Sequence, residues 1–329
     1  MAKILVTGGA GFIGSHFVNS LLSDGHEVMV VDSFAQYISP PVNATYLYNV
    51  NYRFNSLIKG SRIIRGNTLD KDNLRRILIE TAPEYIVHFA ALPLANMAIQ
   101  YTEEAFNTIV GGTVNILEVL RDVQFLKKFV YISSSMVYGD FVQVPLPEDA
   151  PKDPKEIYGG MKLAGEYMVK VYSKRYGIPF SIIRPSAVYG PTDNNRRVIG
   201  IFLSSALKGE PIRAQNAEDT VLDFSYVGDV AAGIKAVTLS EKADGQAFNI
   251  TRGRGRLLQE AIDIILKLYP KTPVEYVNKD SFRPKRGSLD VARARALVGF
   301  NPSVDIEEGI PKYAEFLEEA ERACKDYPF

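Results

Sequence analysis

Between Lys3 and Pro185 the chain carries six short apolar runs rich in β-branched residues, separated by longer stretches with helical spacing. The runs are Lys3–Thr7, Glu27–Asp32, Arg62–Gly66, Tyr85–Ala90, Lys128–Ser133 and Phe180–Pro185. They are continuous rather than alternating, the pattern of parallel strands covered on both faces. Helical spacing falls at Phe12–Ser23, Lys71–Thr81, Glu103–Asp122 and Tyr158–Tyr176. Such alternation folds as βαβ units, so an α/β chain with a doubly wound parallel sheet is expected. Right-handed crossovers then bring the strand C-terminal ends to one ligand-binding edge.

Beyond Pro185 the rhythm breaks into turn-like GPTDNN, KGEP and TRGRGR. The expected organisation is a Rossmann-like dinucleotide-binding domain at 1–189, to which 222–250 returns, and a smaller cap mainly from 190–329. The tyrosine- and asparagine-rich stretch Ser33–Ser61 reads as a structured surface loop. Asp305–Cys324 reads as an amphipathic packing helix. Lys+Arg and Asp+Glu number 38 each, so no net charge draws nucleic acid or an anionic membrane. One cysteine, Cys324, cannot form an internal disulfide, which suits a reducing compartment. The N-terminal MAKILVTGG enters a strand with no signal-like apolar stretch, and no apolar run reaches membrane-spanning length. A cytoplasmic protein without nucleic-acid or membrane partners is expected.

VTGGAGFIG lies between the first strand and the first helix. Gly8, Gly11 and Gly14 make a tight turn that backbone can share closely with a ligand. The helix that follows aims unpaired N–H groups at a pyrophosphate. Asp32 ends the second strand at the distance expected of a ribose-binding acid, and its charge repels a 2′-phosphate. No Arg or Lys follows within Ser33–Tyr52. NAD is therefore favoured over NADP.

Tyr158 and Lys162 are four residues apart on a helix and share one face. A tyrosine with a pKa of about 10 needs a fall of roughly three units, about 4 kcal/mol, to act as a base near neutrality. An exposed cation supplies roughly 1 kcal/mol or less, so the pair requires a shielded cleft and a further positive charge. Ser133, Ser134 and Ser135 close the fifth strand at the ligand edge. Ser134 is the expected catalytic hydroxyl, and at least one of the three is expected to cap backbone.

TGGAGFIG, HFAA (His88–Ala91), SSSMVYG, Y-x-x-x-K, RPSAVYGP (Arg184–Pro191) and LDFSYVGDV (Leu222–Val230) occur in the order found in extended short-chain dehydrogenases/reductases. More narrowly, the chain resembles the nucleotide-sugar epimerase/dehydratase family from Lys3 to about Phe316. The resemblance implies Phe12 and Ile13 at the pyrophosphate, Asn67 and Thr68 beside adenine, and Phe89, Ala90 and Ala91 along the cofactor. It also implies Pro185 and Val188 at the nicotinamide end, where Tyr158 and Lys162 bind too, and a structural His88. His16 and His26 have no partner pattern, and no metal site is expected.

The departures from the family pattern matter as much. Relatives that eliminate water often carry an acid just before VYG, whereas Met136 cannot ionise, so alcohol oxidation with return of the hydride is expected instead. Asn is usual at Ala187 and Arg at Leu222 to hold the diphosphate. With both absent, Arg197, Arg213, Arg283 and Arg286 become the candidates, together with Ser134 and Ser135 at the sugar. Asn107 is slightly out of register with the family's asparagine. The reading is an NAD-dependent nucleotide-sugar 4-epimerase passing through a 4-keto sugar, with a 4-dehydrogenase or 4-ketoreductase as the alternative. A 4,6-dehydratase or a non-catalytic NAD-binding protein ranks below both. The resemblance implies a homodimer through the helices Glu103–Asp122 and Tyr158–Tyr176.

Overall fold

The computed structural model describes residues 1–35, 42–92, 95–195, 197–277 and 283–325. Its main sheet has seven parallel strands: β1 Lys3–Thr7, β2 Glu27–Asp32, β3 Arg62–Arg65, β4 Tyr85–His88, β5 Lys128–Ile132, β6 Phe180–Arg184 and β7 Gln246–Asn249. Their spatial order is β3-β2-β1-β4-β5-β6-β7. The chain reverses direction of travel between β1 and β4, the switch point where such sheets open a crevice. Ile4 pairs with Val28 on one side and Tyr85 on the other.

Alternate residues feed two cores. Ile4, Val6, Val28, Val30 and Val87 face α1 (Phe12–Ser23) and its Phe17, Val18 and Leu21. Leu5, Met29, Val31, Ile86 and Phe129 face the opposite layer. That layer contains α3 (Lys71–Thr81), α4 (Gly112–Leu120) and α5 (Ile157–Tyr176). Burial on both faces explains the continuous apolar runs. A third cluster joins Tyr189, Phe202, Leu203, Ile262, Ile306 and Tyr313, all from later in the chain. After Leu222, α6 (Val227–Leu239) packs on α1, and β7 extends the sheet beside β6.

Two expectations are corrected. Within Ser33–Ser61 lies a helix, α2 (Ala44–Tyr52), continuing as a π turn through Leu57; residues 36–41 fall outside the described set. Asn43 caps it by accepting the Tyr46 N–H at 2.8 Å. Tyrosine and asparagine are weak helix formers, so packing decides: Tyr48 and Tyr52 meet Phe316 of α7 (Ile306–Cys324) at 5.8 and 5.0 Å between ring centroids. The second correction concerns Glu103–Asp122, which is interrupted by a π turn at Asn107–Gly111.

Helix α5 approaches β5 closely because Gly165 has no side chain. A Cβ there would sit 2.1 Å from the Tyr131 hydroxyl. The next residue, Glu166, forks onto Arg184 at 2.8 and 2.6 Å, both side chains about 1% exposed. Removing one partner of such a pair leaves a buried charge uncompensated. Glu166→Ala should therefore lower unfolding free energy by about 3–5 kcal/mol in urea titrations.

His88 is fully buried between Thr7 and Thr113. The Thr113 hydroxyl donates to the Ile109 carbonyl, so His88 Nε2–H donates to it at 3.1 Å, and Nδ1 accepts from Thr7 Oγ1 at 2.7 Å. The ring is satisfied only when neutral, and burial lowers its pKa to about 3. Its unfolded form takes up a proton below about pH 6.5 while the folded form does not, so stability falls as pH drops from about 6.5 towards 3. His88→Gln should remove roughly 2 kcal/mol of the stability difference between about pH 7 and pH 5, measured by urea unfolding at each pH.

Candidate active site

The C-terminal edge of the sheet holds a cleft of about 610 Å³. Its floor is the loop from Gly8 to Gly14. A Cβ at Gly14 would lie 2.4 Å from the Gly8 carbonyl oxygen and 2.9 Å from Gly9 Cα, so a side chain would close the floor. Gly11, Phe12 and Ile13 line the same wall at the N-terminus of α1, where unpaired N–H groups collect. This cradle fits a pyrophosphate. Asp32 stands beside it, accepting from the Ala10 N–H at 3.1 Å and the Phe34 N–H at 2.9 Å. Burial raises its pKa, with these hydrogen bonds opposing the shift. Two N–H groups leave carboxylate lone pairs for ribose hydroxyls.

Asn67 and Thr68 line the far end of the cleft, and Phe89, Ala90, Ala91, Pro185 and Val188 line its length. Arg53, one position beyond the stretch searched for basic residues, lines it as well. Its guanidinium is buried and donates to the Ala10 carbonyl at 3.3 Å and to the Thr192 carbonyl. Both terminal nitrogens are thus bound to backbone rather than aimed at a 2′-phosphate. Sequence reading missed Arg53 because it sits inside the helical segment taken for a loop.

At the other end Ser133, Ser134, Met136, Tyr158 and Lys162 line the cleft together. The three serines have divided their work. Ser133 donates to Glu166 at 2.6 Å, and Ser135 accepts from Arg286 at 2.5 Å. Ser134 accepts the Met136 N–H at 3.2 Å, so the expected backbone cap is the very hydroxyl expected to be catalytic. Accepting one hydrogen bond leaves its own proton to donate. Lys162 Nζ donates to the Ile132 carbonyl at 2.8 Å and stands 5.8 Å from the Tyr158 ring centroid. Burial opposes charge on both groups: it raises Tyr158 to about 12, partly offset by Arg197, and lowers Lys162 to about 7 against the pull of Glu166.

The four arginines part company. Arg197 lines the cleft, pairs with Asp193 at 2.7 Å and lies 5.1 Å over the Phe12 ring. Arg286 touches Ser135, Ser186 and Met136. Arg213 is 75% exposed in strand Ile212–Gln215 and pairs with Glu275 at 3.2 Å, away from the cleft. Arg283 is exposed and does not line it. Asn107 is exposed, and the π turn brings Thr108 to the cleft in its place. Among the described residues no cluster of His, Cys, Asp or Glu could hold a metal, and no helix is long and apolar enough to cross a membrane.

Residues 4–251 match the NAD dependent epimerase/dehydratase family. The chain belongs to that family. This NAD-dependent epimerase/dehydratase family member is 31% identical over 326 residues to the UDP-glucose 4-epimerase of Mycolicibacterium smegmatis, covering 96% of this chain and 98% of the relative. The UDP-glucose 4-epimerase of Thermotoga maritima, solved with UDP-glucose, has a TM-score of 0.85 at 28% identity, covering 97% of this chain and 99% of that one. The UDP-glucuronic acid 4-epimerase of Bacillus cereus, solved with UDP-glucuronic acid and NAD, has a TM-score of 0.86 at 27% identity, covering 96% and 99%. The Rossmann-like fold and the extended short-chain reductase resemblance are thereby borne out.

The cradle geometry carries a direct test. Gly14→Ala should cost about 1–3 kcal/mol of stability through overpacking. Isothermal titration of the purified variant should show NAD affinity reduced by about tenfold or more.

Proposed function

We propose that this protein is an NAD-dependent nucleotide-sugar 4-epimerase. The observation that carries the reading is a single cleft in which Ser134, Tyr158 and Lys162 meet and where Met136, two residues after Ser134, cannot ionise. Residues 1–189 with 222–250 hold NAD, and 190–329 mainly hold the nucleotide sugar. Bound NAD would supply a reversible hydride acceptor and a cationic nicotinamide, with Tyr158 and Lys162 among the residues that would hold it.

The remaining work falls to the chain's own groups. Tyr158 takes the proton of the 4-hydroxyl and later returns it. Ser134 directs its O–H at the sugar O4, held for the task by the Met136 N–H on its lone pair. Lys162 is anchored on the Ile132 carbonyl beside the Tyr158 ring, and Arg197 offsets part of the rise in Tyr158 that burial imposes. Arg197 meets anionic oxygens near the cradle. The nucleotide gives binding energy remote from C4, so the 4-keto sugar can turn over without leaving. Met136 offers no proton for elimination at C5 or C6, which places dehydration below epimerisation.

The deciding experiment is a proton NMR time course of the enzyme as purified, with a panel of nucleotide sugars and no added cofactor. A C4 epimer without net NADH is expected. Turnover only after NAD or a reductant is added would make the protein a 4-dehydrogenase or 4-ketoreductase. Tyr158→Phe should keep NAD, read by absorbance of the denatured supernatant, while kcat falls by about 10²–10⁴-fold.

A further inference from the structure

Arg286 is half-buried against the turn that follows Ser134, yet every hydrogen-bond partner it has among the described residues is neutral. Nη2 donates to Ser135 Oγ at 2.5 Å and to Ser186 Oγ at 3.1 Å, and Nη1 to the thioether of Met136 at 2.8 Å. Nε is buried with no hydrogen-bond partner. The Phe141 ring lies 5.2 Å from the guanidinium carbon and fixes its plane. Asp223, the acid whose charge acts on it, is occupied by Leu289 N–H, Thr251 and Gly253 N–H. Burial accordingly lowers the Arg286 pKa to about 10.

Arg184 meets a two-point carboxylate fork, and buried Arg53 donates to the backbone carbonyls of Ala10 and Thr192, whereas Arg286 finds only two hydroxyls and a thioether. Desolvating a guanidinium nitrogen without a partner is costly, so a complementary anion from outside the chain fits this position. Position narrows its source. Arg286 rests on Ser135 and Met136, the two residues after Ser134, and on Ser186, next to Pro185 of the cleft wall. In a hexopyranose whose C4 faces Ser134 and Tyr158, C6 hangs from the adjacent C5. The diphosphate leaves from C1, across the ring.

We propose that Arg286 recognises a carboxylate at sugar C6, and that the substrate is a nucleoside-diphosphate hexuronate. This rests on the 4-epimerase reading of the same cleft. It also gives Met136 a positive role: a soft neutral acceptor holds the guanidinium in place without cancelling its charge, which an acid at that position would do.

The test is isothermal titration of the NAD-saturated protein with UDP, UDP-glucose and UDP-glucuronate. Wild type should bind UDP-glucuronate about tenfold or more tightly than UDP-glucose. Arg286→Gln should erase that difference while UDP affinity stays within about twofold, and Arg286→Lys should restore part of it. Equal binding of the two sugars by wild type overturns the proposal, and needs no variant to fold. So does an equal loss for UDP and UDP-glucuronate in Arg286→Gln, which would make the guanidinium a diphosphate holder. Tight, Arg286-dependent binding of UDP-glucuronate without a C4 epimer would sink the epimerase reading and leave carboxylate recognition standing.

Discussion

The buried fork between Arg184 and Glu166 ties the reacting end of the cleft to the sheet. Glu166 lies one helical turn after Lys162 on α5 and also receives the Ser133 hydroxyl, so one carboxylate joins the ends of β5 and β6 to the helix. Arg184 spends its remaining nitrogen on the Tyr138 hydroxyl and the Glu148 carbonyl, and Tyr138 donates in turn to Asn249 at the end of β7. Asn249 reaches the carbonyls of Leu146 and Asp290. A chain of satisfied polar groups thus spans three strand ends, the turn carrying Met136, and the late segment carrying Arg286. Replacing it with apolar side chains could match its stability, but directional bonds fix angles that dispersion does not. The relative placement of Ser134 and Lys162 is inherited from this network.

That placement is made in a site whose burial resists the charges it needs. Moving Tyr158 up and Lys162 down are the same effect seen from opposite signs, since low dielectric penalises both phenolate and ammonium. The pair therefore responds strongly to whatever charge is placed next to it. In water a neighbouring cation would change little; in a shielded cleft the same cation shifts the balance by several kcal/mol. The Ile132 carbonyl holds Lys162 in position, so no side-chain search precedes the response.

Much of this was legible in the residues, for physical reasons that can be named. Strands buried on both faces leave uninterrupted apolar runs, and β1, β2 and α1 fall at the residues their patterns predict. The glycine loop and Asp32 were legible because only a side-chain-free turn fits that close approach. Helix α2 was not, since its stability comes from Tyr48 and Tyr52 packing on Phe316, more than 260 residues away, rather than from local propensity. Arg53 was lost with it. Letters alone could not settle the four arginines, and the tertiary structure separates Arg213, paired on a surface strand, from Arg286, half-buried among neutral groups.

Met136 shows how one residue can carry two arguments. Read as a letter, it says only that a proton donor is missing. Seen against Arg286, its thioether supplies a weak neutral acceptor, and the guanidinium charge beside the turn after Ser134 is left uncancelled by it. An ionised side chain at the same position would pair with Arg286 at short range, and the pair would present little net charge to a ligand. Choice of chemistry and choice of substrate are then coupled through a single side chain. On the proposed reading, a site that gives up acid-assisted elimination gains a guanidinium free to bind an anionic sugar.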